Sequence, residues 1–178
     1  MSNDKLRKWQ GDVRRVTFEV RELHDFRRDS RVFWWAAQQY EELFEEGGLF
    51  AGFVFSGEQA YLLMAIRRLV RPNTQATSLV GLLESIVSDY KYATTCFPRL
   101  PNEAAIRADV DAIKTLCSSI MTFDDKAIAH NDRKPMYSLW DVGQNLMPAV
   151  DLLIERGFKY VRLLSAPHYV EHGGLTGL

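Results

Sequence analysis

Cysteine is almost missing: Cys96 and Cys117 are the only two thiols in 178 residues. Two thiols cannot make a disulfide framework, nor a four-ligand zinc site without help, so both are expected as buried apolar side chains. No apolar run approaches the 18 residues that a membrane span needs, which predicts no membrane partner. Met1 to Gln10 has neither the apolar stretch nor the small-residue cleavage site of a secretory leader, so a cytoplasmic protein is expected. A surplus of one charge sign is missing too. Twenty-two Lys and Arg face 23 Asp and Glu, a formal charge of −1, so any attraction to nucleic acid or an acidic membrane must be local.

What remains is globular in composition: 47% hydrophobic, 12% aromatic and 25% charged. That mixture excludes a disordered or collagen-like chain, and the length suits one domain over residues 1–178. Charge comes in blocks. Met1 to Arg31 carries nine basic and six acidic residues, while Val32 to Ala60 carries five Glu and no base. The pattern fits either a polarised, self-associating surface or two solvated helix faces of opposite sign.

Helical periodicity dominates. Val13, Val16, Val20, Leu23 and Phe26 recur at three- and four-residue steps, predicting an N-terminal helix over 12–28. Ser30 has the chemistry of an N-cap for a second helix with Phe33, Trp34, Ala37, Tyr40, Leu43 and Phe44 on its stripe, closed by Gly47-Gly48. Ser56-Gly57-Glu58-Gln59 has capping-box spacing ahead of a buried third helix, which Pro72 must stop near Arg71. Thr77 is expected to cap a fourth segment bearing Leu79, Leu82, Leu83, Ile86 and Tyr90. Pro98 and Pro101 predict a loop from Tyr92 to Pro101. Asn102 starts a fifth helix with Ile106, Val110, Ile113, Leu116, Ile120 and Met121 inward, running into Asp124–Asp132. Lys134-Pro135 breaks it. Ser138 to Asp141 opens a last helix to about Leu164, in which Pro148 predicts a kink or a break, and 165–178 is a tail. Strict alternation never exceeds about four residues, so the expected fold class is all-α, an antiparallel bundle of five to six helices.

Chemistry concentrates in Asp124-Asp125-Lys126-Ala127-Ile128-Ala129-His130-Asn131-Asp132. A histidine near neutral pKa can take or give a proton and a nearby cation can hold developing phosphate charge, the two needs of RNA backbone cleavage. Lys126 and His130 are four apart and share a helical face, whereas Asp124 diverges from His130 by roughly 120° on a straight helix. The competing explanation is a helix-end histidine held by carboxylates for structure alone.

This string, together with Leu62-Leu63-Met64-Ala65-Ile66-Arg67-Arg68-Leu69-Val70-Arg71-Pro72 and the Leu-rich Ser78 to Leu83, resembles the HEPN superfamily in its abortive-infection U-two-like branch. That branch pairs an apolar helix ending in a basic-Leu-x-x-Pro turn with a later Arg-Asn-Lys-x-Ile-Ala-His-x-Asp element. The resemblance covers about 33–164, with Lys126, Ile128, Ala129, His130 and Asp132 agreeing at their positions. It implies a HEPN-type homodimer with the site in a cleft between subunits, metal-independent and cofactor-free cleavage of an RNA substrate, and a phage-defence or toxin–antitoxin setting with an antitoxin protein as partner. His130 would be the acid or base. The family's arginine position holds Asp124 and the next polar position Asp125, which would repel phosphate and favour protonated His130.

Three readings follow from that departure. Lys126 could supply the cation, or Arg68 and Arg71 could, with Asn131 and Asp132 contacting substrate; lysine lacks the planar two-point contact of a guanidinium. Alternatively the chain is a degenerate HEPN dimer that binds RNA or a protein without turnover. A third reading has Asp124, Asp125, Asp132 and His130 collecting a divalent ion. Two further patterns carry chemistry on paper. His168-Tyr169-Val170-Glu171-His172 fits an inverted zinc-peptidase word, but Pro167 and Gly173-Gly174 bracket it and no later acid can serve as third ligand. Trp34, Trp35, Phe50, Phe53 and Phe55 could stack bases or pack a core or dimer.

Overall fold

The structure, a computed structural model, describes residues 2–39, 48–71, 77–127 and 139–165. Six helices carry these residues: α1 (Ser2–Gln39), α2 (Gly48–Val70), α3 (Leu79–Ser88), α4 (Tyr90–Cys96), α5 (Glu103–Ala127) and α6 (Leu139–Leu164). No strand occurs among them. The fold is therefore the all-α bundle that the periodicity predicts. None of these helices is long and apolar enough to cross a membrane.

The first correction concerns α1, which is one helix of 38 residues rather than two. Its inward line is Trp9, Val13, Val16, Val20, Leu23, Arg27, Ser30, Trp34, Ala37, an unbroken alternation of four- and three-residue steps. Arg27 and Ser30 interrupt the line in polarity but not in period. Arg27 Nε reaches Asp151 of α6 at 3.1 Å, and the Ser30 hydroxyl donates to Glu58 of α2. Ser30 is thus an inward hydrogen-bond donor, not a cap.

Cross-helix pairs set the topology. Phe26 stacks on Tyr61 at 4.1 Å and Arg68 pairs with Glu19, so α2 runs antiparallel to α1. Thr77 then bonds Asp12, Trp9 Nε1 bonds Ser85, and Lys5 pairs with Asp89. α3 therefore continues down α1 in the same direction as α2. Val20–Gly157 with Arg27–Asp151 makes α6 antiparallel to α1, and Asp109–Lys159 with Ser119–Asn145 makes α5 antiparallel to α6, so α5 also runs opposite to α3, which it meets at Lys114–Glu84. One long helix thus faces two shorter ones placed in succession, with α5 and α6 completing the bundle. Val16, Leu62, Ile66, Leu83, Ile113, Ile120 and Leu153 are among the fully buried core.

Local chemistry explains the other boundaries. α2 ends at Val70 as expected before Pro72, with the Arg71 N–H still bonded to the Arg67 carbonyl. Ser56 and Gly57 lie inside α2, so the capping-box reading fails; apolar residues from Leu49 onward extend the helix upstream. Ser78, not Thr77, caps α3, its hydroxyl accepting from Gly81 N–H at 2.9 Å, while Thr77 turns to Asp12. Asp89, at φ −128° and ψ 37°, separates α3 from α4. Part of the expected Tyr92–Pro101 loop is α4, which sets Tyr92 and, just beyond it, Phe97 against the buried Trp9 ring. Asn102 caps α5 as expected, its side-chain oxygen accepting from Ala105 N–H at 2.8 Å. α6 passes through Pro148 without a break. Cys96 and Cys117 are both buried free thiols.

Candidate functional site

α5 brings the backbone of Asp124, Asp125 and Lys126 to its last turn. Their side chains, and all of His130, Asn131 and Asp132, lie outside the described residues. So do His168 and His172. Among the described residues no three His, Cys, Asp or Glu side chains gather as a metal site.

Arg68 and Arg71 are described at the end of α2, and the bundle holds them away from that turn. Arg68 Nη1 sits 3.2 Å from Glu19 of α1. The rungs Val20–Gly157, Asp109–Lys159 and Ser119–Asn145 relate α1 to α6 and α6 to α5. Followed at 1.5 Å per residue, they put Asp124 level with the last two turns of α1, about 21–27 Å along the bundle from Arg68. Within one subunit the two basic candidates are therefore not neighbours of the Asp124–Lys126 turn. Sequence adjacency to a Pro turn gave no hint of this, because the level of a helix end is set by which partner its stripe packs on.

Closer to that turn is a feature the periodicity did not reveal. Glu58 is buried, at 7% exposure. It accepts from the Ser30 hydroxyl and from Trp34 Nε1 at 2.6 Å, two neutral donors, and no cation pairs with it among the described residues. A cavity of about 260 Å³ opens beside it, lined by Phe26, Asp29, Ser30, Phe33, Val54 and Glu58. The signal was present as polar residues at inward heptad positions of α1, facing a Glu that the capping-box pattern had claimed. Trp34 is thereby a bonded, half-buried side chain, whereas Trp35 is 62% exposed; the side chains of Phe50, Phe53 and Phe55 lie outside the described set.

A second buried polar group ties α5 to α6. Asp109 accepts from Lys159 Nζ at 2.6 Å and from the Tyr160 hydroxyl at 2.7 Å. Arg156 Nε lies 3.1 Å from its other oxygen as an ion pair, without hydrogen-bond alignment. Burial works to raise the Asp109 pKa, but the bonds from Lys159 and Tyr160 and the two positive charges outweigh it and hold the carboxyl below its ordinary value. Burial, followed by the Asp109 bond, pushes Tyr160 up. Two hydrogen bonds, one further ion pair and full enclosure of Tyr160 make this a structural clamp.

No protein-family model, curated protein or solved structure matches the chain.

Proposed function

We propose that the protein is a HEPN-like homodimer of a phage-defence or toxin–antitoxin type system that acts on RNA, with a metal-independent cleavage site centred on His130. The observation that carries this reading is the string Asp124–Asp132, with its single imidazole, beginning on the last turn of α5 in an all-α antiparallel bundle. Lys126 is the cation of the same strand of sequence, and His130 the acid or base. Arg68 and Arg71 belong to the substrate path only if the partner subunit brings them to the site.

A second reading, a degenerate HEPN dimer that binds RNA or a protein partner such as an antitoxin without turnover, is favoured by one specific observation. Asp124 stands where the family has arginine, and Arg68, which the resemblance offers as a replacement, lies about 21–27 Å along the bundle within the subunit.

The test incubates labelled RNA with the protein in EDTA, comparing wild type, His130→Ala and Asp124→Arg. Cleavage to cyclic-phosphate ends that falls by about 10²–10⁴-fold in His130→Ala supports the ribonuclease. Silence in wild type with activity gained in Asp124→Arg supports the degenerate dimer. Cleavage unchanged in His130→Ala removes His130 from the catalytic role.

A further inference from the structure

Because α1 is a single helix, residues seven apart fall on one line of its surface. On the line facing away from the core stand Arg7, Arg14, Arg21 and Arg28, all exposed. Each lies about 10.5 Å from the next, and the line drifts by only about 20° per step. Phe18 stands between Arg14 and Arg21 at 59% exposure, and Lys8 is exposed beside Arg7.

Exposed helical arginines are usually balanced by acids three or four residues away. Around Arg14 those positions hold Gln10, Gly11, Thr17 and Phe18, with no acid among them. Asp25, the acid next to Arg21, instead pairs with Arg28 at 3.2 Å, and Asp29 pairs with Arg28 at 2.9 Å. Among the described residues no carboxylate pairs with Arg7, Lys8, Arg14 or Arg21. The ladder whose cations pair with no carboxylate among the described residues thus runs from Arg7 to Arg21, about 21 Å, with Asp4 three residues before Arg7 and Asp25 four after Arg21 as its flanking acids.

We infer that this face of α1 is a track for the phosphate backbone of single-stranded RNA. The inference rests on the reading that the protein acts on RNA and names where that RNA lies. Evenly spaced cations on a straight rod suit a polymer with periodic charge better than a single small anion. Guanidinium forks match phosphate oxygens two at a time, and Phe18 offers an exposed ring for base stacking. With a net charge of −1 for the whole chain, this is the local field that nucleic-acid binding requires.

The experiment titrates the full chain into a 5′-labelled, unstructured oligouridylate by fluorescence anisotropy between 50 and 200 mM KCl. Four phosphate contacts, from Arg7, Lys8, Arg14 and Arg21, give a slope of log K against log salt of about −2.8. The Arg7→Gln/Arg14→Gln/Arg21→Gln variant should flatten the slope to about −0.7 and weaken binding at 50 mM salt by about 10²–10³-fold. Phe18→Ala should weaken it by about 5- to 100-fold with the slope unchanged. All four positions are exposed, and an unchanged circular dichroism spectrum confirms that each variant folds. A triple variant that keeps wild-type affinity and slope overturns the track, as does no RNA binding by wild type, or polyglutamate binding the arginines in place of RNA. The His130→Ala arm separates the two ideas. Arginine-dependent binding without cleavage supports the track and removes the ribonuclease; His130-dependent cleavage indifferent to the arginines does the reverse.

Discussion

Replacing Gly157 with alanine should destabilise the protein even though alanine is the better helix former. Gly157 is buried on α6 against α1, and a β-carbon there would meet Val20 Cγ2 at 2.5 Å, Cγ1 at 2.9 Å and Cβ at 3.3 Å. Val20 is fully buried, and a β-branched side chain in a helix has essentially one rotamer, so it cannot swing aside. α1 and α6 must separate instead. Overpacking of this kind costs about 1–3 kcal/mol, against a gain of about 1 kcal/mol from helix propensity. The net loss is then up to about 2 kcal/mol, or a Tm lower by up to about 8 °C for a chain of this size. Val20→Ala alone should cost about 2 kcal/mol by opening a void. In that background the sign reverses: Gly157→Ala fills the space and gains about 0.5–1 kcal/mol. Urea unfolding followed by circular dichroism measures all four proteins as a double-mutant cycle. Additive effects, or a Gly157→Ala single variant more stable than wild type, would refute the close approach of α1 and α6.

Asp109→Asn should cost about 2–3 kcal/mol at neutral pH, because Lys159 and Arg156 lose their counter-charge in a partly buried site. The folded carboxyl sits below its ordinary value of 3.8, so the unfolded chain takes up the proton first as pH falls. The stability Asp109 confers is therefore present above about pH 5 and drains away through and below pH 4. Urea midpoints between pH 6 and pH 2.5 should fall more steeply for wild type than for Asp109→Asn; parallel curves would refute this. Burial raises the Cys117 thiol to about 11, so at pH 8 it should resist a thiol reagent in the folded protein and react only as fast as the chain opens. Modification of native Cys117 within seconds would contradict its enclosure.

Period was legible in the sequence, and polarity misled. The all-α class, the end of α2 before Pro72 and the Asn102 start of α5 all followed from spacing and cap chemistry. Ser30 looked like a helix start because Ser, Asp and Arg cluster there. Yet the four–three alternation from Trp9 to Ala37 never lapses, and Asp151 and Glu58 receive the polar inward residues from other helices. Such partners are more than twenty residues distant in sequence and invisible to a local pattern. α4 was missed for a related reason: Pro98 and Pro101 do end a helix, but Trp9 holds one more turn of structure ahead of them through Tyr92 and Phe97. Of the candidate site, the residue cluster was legible and the placement of Arg68 was not, since only the Glu19 pairing sets its level in the bundle.

The order of these helices has a consequence on the ribosome. Of the six helices α1 is made before the others and its partner α6 after them: Arg27 and Asp151 are separated by 124 residues of sequence. At about 5–20 residues per second, roughly 6–25 s pass between synthesis of the two. Throughout that interval α2 and α3 can cover only one flank of the stripe from Trp9 to Leu23. A nascent chain of this design presents a greasy, arginine-backed helix to the cell until α6 emerges, which makes it a natural client for holding chaperones and makes truncation within α6 far more damaging than its place in the helical order suggests.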